Sequence, residues 1–256
     1  MPRYFLELAY KGTHYHGWQE QINASSVQEH LNKALSILCR KPIETLGCGR
    51  TDTAVHATQF FAHFDGDLSA EDFEKLPHKL NAILNHDICI YQIINVADSA
   101  HARFDATHRS YSYYICREKN PFLNELSWYW SHELDVTLMN EAATILLHYN
   151  DYGCFSKSGG QQHTNICTIS EAKWLEDGNL LRFTITANRF LRGMVRAIVG
   201  TLIQVGEHKI TIQDFEKIIQ SKDRTKAGTS VPAEGLFLEE IRYPYIHSKR
   251  RSPYHP

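Results

Sequence analysis

The spacing of apolar and polar residues over the first hundred positions predicts a strand at 3–10, a helix over 26–40 and strands at 43–48 and 57–65, then a helix over 69–84 and a strand at 88–97. The helix at 26–40 has the firmest signals. Val27, Leu31, Ala34, Leu35 and Leu38 recur on one face, and Ser26 with Glu29 makes a capping-box pattern at its start. The order is βαββαβ, and it returns in the second half. There the pattern predicts a strand at 110–117, a helix over 136–148, strands at 165–175 and 180–188, a helix over 190–205 and a strand at 236–243, with a charged helical insert at 207–230. Two such units predict an α+β fold of two ferredoxin-like (βαββαβ) halves with mainly antiparallel sheets around a central cleft. The halves are expected at 1–104 and 105–256, followed by a solvated tail, KRRSPYHP.

Composition narrows the function classes. The chain has 256 residues, 43% hydrophobic and 22% charged, enough to bury a substantial core. Apolar runs fall well short of the roughly 18 residues a bilayer span needs, so no membrane association is expected. The opening MPRYFLELAYKG has no charged leader followed by an apolar core and a cleavage site, which makes the cytoplasm the expected location. The six cysteines, at 39, 48, 89, 116, 154 and 167, form no CxxC pair, and the 15 histidines form no HExxH. Neither a disulfide framework nor a metal site is expected. No GxGxxG or GxxxxGK[ST] follows a strand, so no nucleotide cofactor is expected either. The net charge of −2 argues at first sight against a nucleic-acid partner. Its distribution softens the objection: residues 1–100 hold 8 Lys+Arg against 12 Asp+Glu, and the remainder 19 against 17.

Four segments combine residue types that chemistry uses. Between two predicted strands lies GCGRTDTAVHA at 47–57, too long and too polar at its centre for a tight hairpin. Gly47 and Gly49 permit unusual backbone angles, and Arg50 and Asp52 place opposite charges two residues apart. A surface loop whose aspartate caps the backbone would look the same. In HARFDATHRSYSYYI at 101–115, strand alternation puts Tyr111, Tyr113 and Ile115 on one face, between Arg103 and Arg109 on the N-terminal side and the core beyond. Such a stripe is either core packing or a surface that stacks on bases beside phosphates. In NRFLRGMVRAIVG at 188–200, helical geometry would bring Arg189, Arg192, Gly193, Arg196 and Gly200 onto one narrow face. With no acid to balance the arginines, that face points to anion binding or to a salt bridge with a buried carboxylate. Finally, YKGTHYHGWQ at 10–19 mixes cations with aromatics beside glycines, which suits an RNA reader and a fold anchor equally.

Taken in order, YKGTHYHGWQ, GRTD at 49–52, HARFDAT with the following Tyr111, NRFLRGMVRAIVG and AEGLFL at 233–238 resemble the TruA-type tRNA pseudouridine synthases. The resemblance runs from about residue 3 to 243. It implies a homodimeric, cofactor-independent and metal-free isomerase that converts uridine to pseudouridine at tRNA positions 38, 39 and 40. By that resemblance Asp52 is the catalytic carboxylate, Tyr111 stacks on the target base and Arg196 pairs with Asp52. Arg50 helps displace the target nucleotide, and Leu236 lines the pocket. The arginines Arg189, Arg192 and Arg103, with Lys11, are the expected RNA contacts. One residue departs from the family pattern GRTDxGVHA: Ala54 stands where that pattern has glycine. If the position needs a positive φ, alanine there costs about 1 kcal/mol. Two competing classes are a non-catalytic RNA-binding module and a metal-dependent hydrolase drawing ligands from Asp52 and the histidines.

Overall fold

The computed structural model describes residues 1–157 and 164–246, so the expected tail at 249–256 lies outside it. The chain forms two compact units, one of residues 1–107 with the chain from Phe237 onward, the other His108–Leu236. Both mix helices with mainly antiparallel strands.

The first unit runs β1 (Arg3–Tyr10), α1 (Val27–Cys39), β2 (Leu46–Gly47), β3 (His56–Asp65), α2 (Ala70–Ile83) and β4 (Ile88–Val96). Strand β1 lies between β3 and β4, antiparallel to both. The Ser26 side chain accepts the Glu29 N–H as the cap of α1, which starts with the apolar pattern at Val27, one residue after the helix expected from 26. Val27, Leu31, Ala34 and Leu35 are buried along its inner face, and each leucine contributes about 2 kcal/mol by leaving water. Strand β2 is shorter than the strand expected at 43–48, because only Leu46 and Gly47 pair with β3. Thr45 instead gives its N–H and hydroxyl to Asn32 of α1, which draws the chain off the sheet.

The second unit runs β5 (His108–Cys116), β6 (Trp128–Tyr129), α3 (Val136–Ile145), β7 (Ile169–Asp177), β8 (Leu180–Ala187), α4 (Met194–Gly206) and α5 (Ile212–Ser221). Strand β8 is central, antiparallel to β5 and β7. Three expected boundaries shift. Helix α3 tightens into a 3-10 turn at Leu146–His148. The strand expected from 165 starts at Ile169, since Cys167 N–H is spent on Asn150 O and Ile166 bridges Asp151. The helix expected from 190 starts at Met194, because Gly193 sits at φ 68°, a left-handed conformation that cannot lie inside a right-handed helix.

The last strand, β9 (Leu236–Arg242), pairs in parallel with β3 at His56–Phe237 and Ala57–Leu238. Gln59 secures it, accepting the Ile241 N–H at 2.8 Å while its amide nitrogen donates to the buried Glu7 carboxylate at 2.7 Å. The chain thus returns to the first unit for its last described strand.

Candidate active site

The loop between β2 and β3 is held from outside by residues 10–19. Tyr10 OH and Thr51 Oγ1 are 2.9 Å apart and buried, Trp18 N–H reaches Thr51 O, and Ala54 N–H reaches Tyr15 O. Two glycines make this contact possible. A Cβ on Gly12 would lie 2.0 Å from Val55 O, and one on Gly17 would lie 2.2 Å from Thr51 O. Tyr10, Tyr15 and Trp18 are all buried, so this segment is a fold anchor rather than an aromatic RNA surface. His56 closes the brace. Its Nδ1 accepts the Gly12 N–H at 3.0 Å, and its ring stacks on Phe237 with centroids 4.5 Å apart.

Within that brace, Val55 N–H bonds back to Asp52 O, closing a turn over Asp52, Thr53, Ala54 and Val55. Its third residue, Ala54, has φ 61°. A positive φ at that place is the pattern of a type II turn, which calls for glycine. Ala54 therefore carries the strain anticipated from the sequence, about 1 kcal/mol. Gly47 and Gly49 do not adopt positive φ. Gly47 is required for space, since a Cβ there would lie 2.5 Å from the Trp18 indole nitrogen. The outcome is a half-buried Asp52 on a loop fixed at both ends, next to a buried Thr51 and an exposed Arg50. Lys11 is half-buried on the bracing segment, and Arg103 is exposed in a turn before β5.

The other candidates belong to the second unit. Of the aromatic stripe on β5, Tyr113 and Ile115 are wholly buried, whereas Tyr111 at the strand's start is half-buried. The Tyr113 hydroxyl donates to Pro232 O, and burial pushes its pKa far up, which makes it a packing residue. Tyr111 meets Phe190 edge to face at 5.1 Å, and Arg109 donates to Asn188 O at 2.9 Å. These contacts fix the 188–193 segment beside the ring. Arg189 (half-buried) and Arg192 (exposed) lie on this segment and not on α4, so the single helical face expected for the arginines is not formed.

Arg196 does lie on α4, with its Nε donating to Val231 O at 2.6 Å and its own carbonyl accepting the Val231 N–H. Gly200, one turn on, packs against the chain itself: a Cβ there would lie 1.9 Å from Thr229 O. Gly228 N–H donates to Thr201 Oγ1 in the same contact. The 228–232 segment held this way leads to Leu236, which is buried. A cavity of about 280 Å³ opens beside that segment, among Trp128, Trp130, Gly200, Gln204, Ser230 and Val231, and none of the five residues Asp52, Arg50, Tyr111, Arg196 and Leu236 lines it.

Among the described residues no group of three or more His, Cys, Asp or Glu is placed to hold a metal ion. All six cysteines are free thiols, and burial pushes Cys154 to about 12 and Cys167 to about 11. No helix of the described residues is long and apolar enough to cross a membrane. Tyr10, Thr51 and His56 are parts of the site that residue types alone did not reveal. The one available signal was the pair Gly12 and Gly17 among aromatics, which marks a close backbone approach.

A family model described as tRNA pseudouridine synthase matches residues 142–244. Over nearly the whole chain, relatives named tRNA pseudouridine synthase A are similar. The protein of Bacteroides fragilis is 51% identical over 95% of this chain and 97% of its own length. That of Parabacteroides distasonis is 48% identical over the same shares, and that of Clostridium acetobutylicum 40% over 93% and 98%.

Proposed function

The chain belongs to the tRNA pseudouridine synthase A family, and on that premise we propose that it isomerises uridine to pseudouridine at positions 38, 39 and 40 in the anticodon arm of tRNA, with Asp52 as the catalytic carboxylate. The observation that carries the reading is the braced turn at 52–55, which fixes the base of one half-buried carboxylate through a buried Tyr10–Thr51 contact and two obligatory glycines.

The reaction breaks the C1′–N1 bond, turns the uracil and joins C5 to C1′. N1 gains a proton and C5 loses one to solvent, so product and substrate are isomers and no oxidant or energy source is consumed. This is the reason no metal or cofactor is expected. A carboxylate can serve the reaction by attack at C1′, by attack at C6 or by assisting loss of the 2′ proton, and each route needs one such group beside the nucleoside. A base within a stem or at its loop edge must first leave the stack, at a cost of a few kcal/mol. Stacking by Tyr111 and occupation of the gap by Arg50 offset that cost. In this reading Leu236 is the apolar wall for the base, and Arg196 supplies the cation that accompanies the carboxylate. Arg189, Arg192, Arg103 and Lys11 hold phosphates. We extend the reading to two ferredoxin-like halves, 1–104 and 105–256, in a homodimer acting in the cytoplasm.

The test is to incubate unmodified tRNA with the protein and map pseudouridine nucleotide by nucleotide. Modification confined to positions 38, 39 and 40 is expected. Modification only elsewhere would overturn the positional assignment.

A further inference from the structure

The turn at 101–105 is built with more care than a connection needs. Each of its five backbone N–H groups has a partner, four of them on side chains. His101 N–H donates to Asp105 Oδ2 (2.8 Å), Ala102 N–H to His63 Nδ1 (3.2 Å), and Arg103 and Phe104 N–H both to His101 Nδ1 (3.1 and 3.2 Å). The fifth, Asp105 N–H, bonds to His101 O. Carbonyls and carboxylate are braced as well, with Tyr243 OH donating to Ala102 O, Tyr245 OH to Asp105 Oδ2 at 2.7 Å and Arg3 to Ala100 O at 2.9 Å. Burial pushes His63 down to about 4, which leaves its ring neutral and able to accept from Ala102 at working pH.

What this frame displays is Phe104, 74% exposed. Its ring lies 4.2 Å from that of His101, and the Arg103 guanidinium sits 5.7 Å from its centroid. A large apolar ring held rigidly in water gains nothing for folding. The exposed or half-exposed side chains of the turn and its braces are three rings (His101, Phe104 and Tyr245), two cations (Arg103 and Arg3) and the Asp105 carboxylate, whose Oδ2 accepts from His101 N–H and Tyr245 OH; no aliphatic side chain is among them. Protein interfaces also use aromatic and arginine anchors, so the substrate decides the occupant: with tRNA as substrate, rings beside a guanidinium match an unpaired base beside a phosphate.

We propose that the 101–105 turn is a second RNA-contact site, separate from the catalytic loop, on which Phe104 backed by His101 stacks against an unpaired base of the tRNA while Arg103 engages the adjoining phosphate. The inference rests on the reading of tRNA as substrate. It adds a base-stacking role to the phosphate contact assigned to Arg103.

The test is equilibrium binding of full-length tRNA at several salt concentrations. Phe104→Ala is expected to bind about ten-fold more weakly, with the salt slope unchanged, and Phe104→Trp to bind as wild type. Phe104→Leu, which keeps apolar bulk without a π face, is expected to be as weak as alanine. Arg103→Ala is expected to lower the salt slope by about one. Wild-type affinity in Phe104→Ala, or retention by Phe104→Leu, overturns the proposal. So does wild-type tRNA affinity in Phe104→Ala accompanied by a changed oligomeric state in sedimentation, which would make the turn a contact between copies of the chain. Pseudouridine mapping with the wild type separates the two readings: RNA binding that depends on Phe104 in a protein that modifies no uridine leaves the turn in place and removes the isomerase.

Discussion

The Asp52 loop and the Arg196 helix both combine glycines with charge, yet they use their glycines in opposite directions. In the first, the proposed catalytic carboxylate sits on the element that is held: Gly12 and Gly17 let a neighbouring segment grip the loop that carries Asp52. In the second, Arg196 sits on the element that does the holding: Gly200 lets α4 grip the 228–231 segment, and Arg196 supplies two of the hydrogen bonds. In both cases the glycine makes room for a neighbouring stretch of backbone. The lesson is that damage should spread differently. Loosening the loop's brace should reach chemistry before stability, and loosening the helix's grip should reach stability first.

The largest effect should come from filling the gap at Gly200. With a Cβ 1.9 Å from a backbone oxygen, Gly200→Ala should cost about 3 kcal/mol and lower the melting temperature by about 6–12 °C. Thermal unfolding followed by circular dichroism checks this, and an unchanged melting temperature would remove the helix from the comparison.

A smaller and more selective effect is expected at the brace. Tyr10→Phe and Thr51→Val each remove one half of a buried hydroxyl pair 2.9 Å apart, and each should lower kcat about five- to ten-fold with KM for tRNA little changed. The double variant should be no slower than the worse single one, because the pair acts as a unit. Full additivity in kcat would show that the contact does not transmit to Asp52, and equal losses in kcat and melting stability would make it merely structural.

The smallest effect runs the other way. Ala54→Gly relieves a φ of 61° and should stabilise the first unit by about 0.5–1 kcal/mol, read as a rise of about 1–4 °C in melting temperature. Destabilisation instead would mean that the entropy lost by a glycine outweighs the strain it removes.

Much of this was legible beforehand, and the misses have one cause. Ser26 and the one-sided apolar spacing placed α1 within a residue, because capping and burial there are local. Ala54 was flagged from a pattern, and the turn confirms the backbone demand. What the sequence did not disclose was contact between distant segments. Gly193 looked like part of a helix, and only its positive φ reveals that the helix begins after it. Gly200 was grouped with the arginines on one helix face, because Thr229, which it packs against, is far away in sequence. The aromatics of 10–19 could read RNA or anchor the fold until the position of Thr51 settled it. Phe104 was unremarkable within its motif, since the turn that displays it is held by hydrogen bonds to His63 and from Tyr243 and Tyr245.

The central claim, that Asp52 is the carboxylate of a metal-free uridine isomerase, is tested most directly by tritium release from tRNA labelled at uracil C5, with EDTA present and no added metal or nucleotide. The account predicts steady release by the wild type and a rate at least about a thousand-fold lower for Asp52→Ala at an unchanged melting temperature. Equal release by both proteins would contradict the role of Asp52, and release by neither would contradict the isomerase itself.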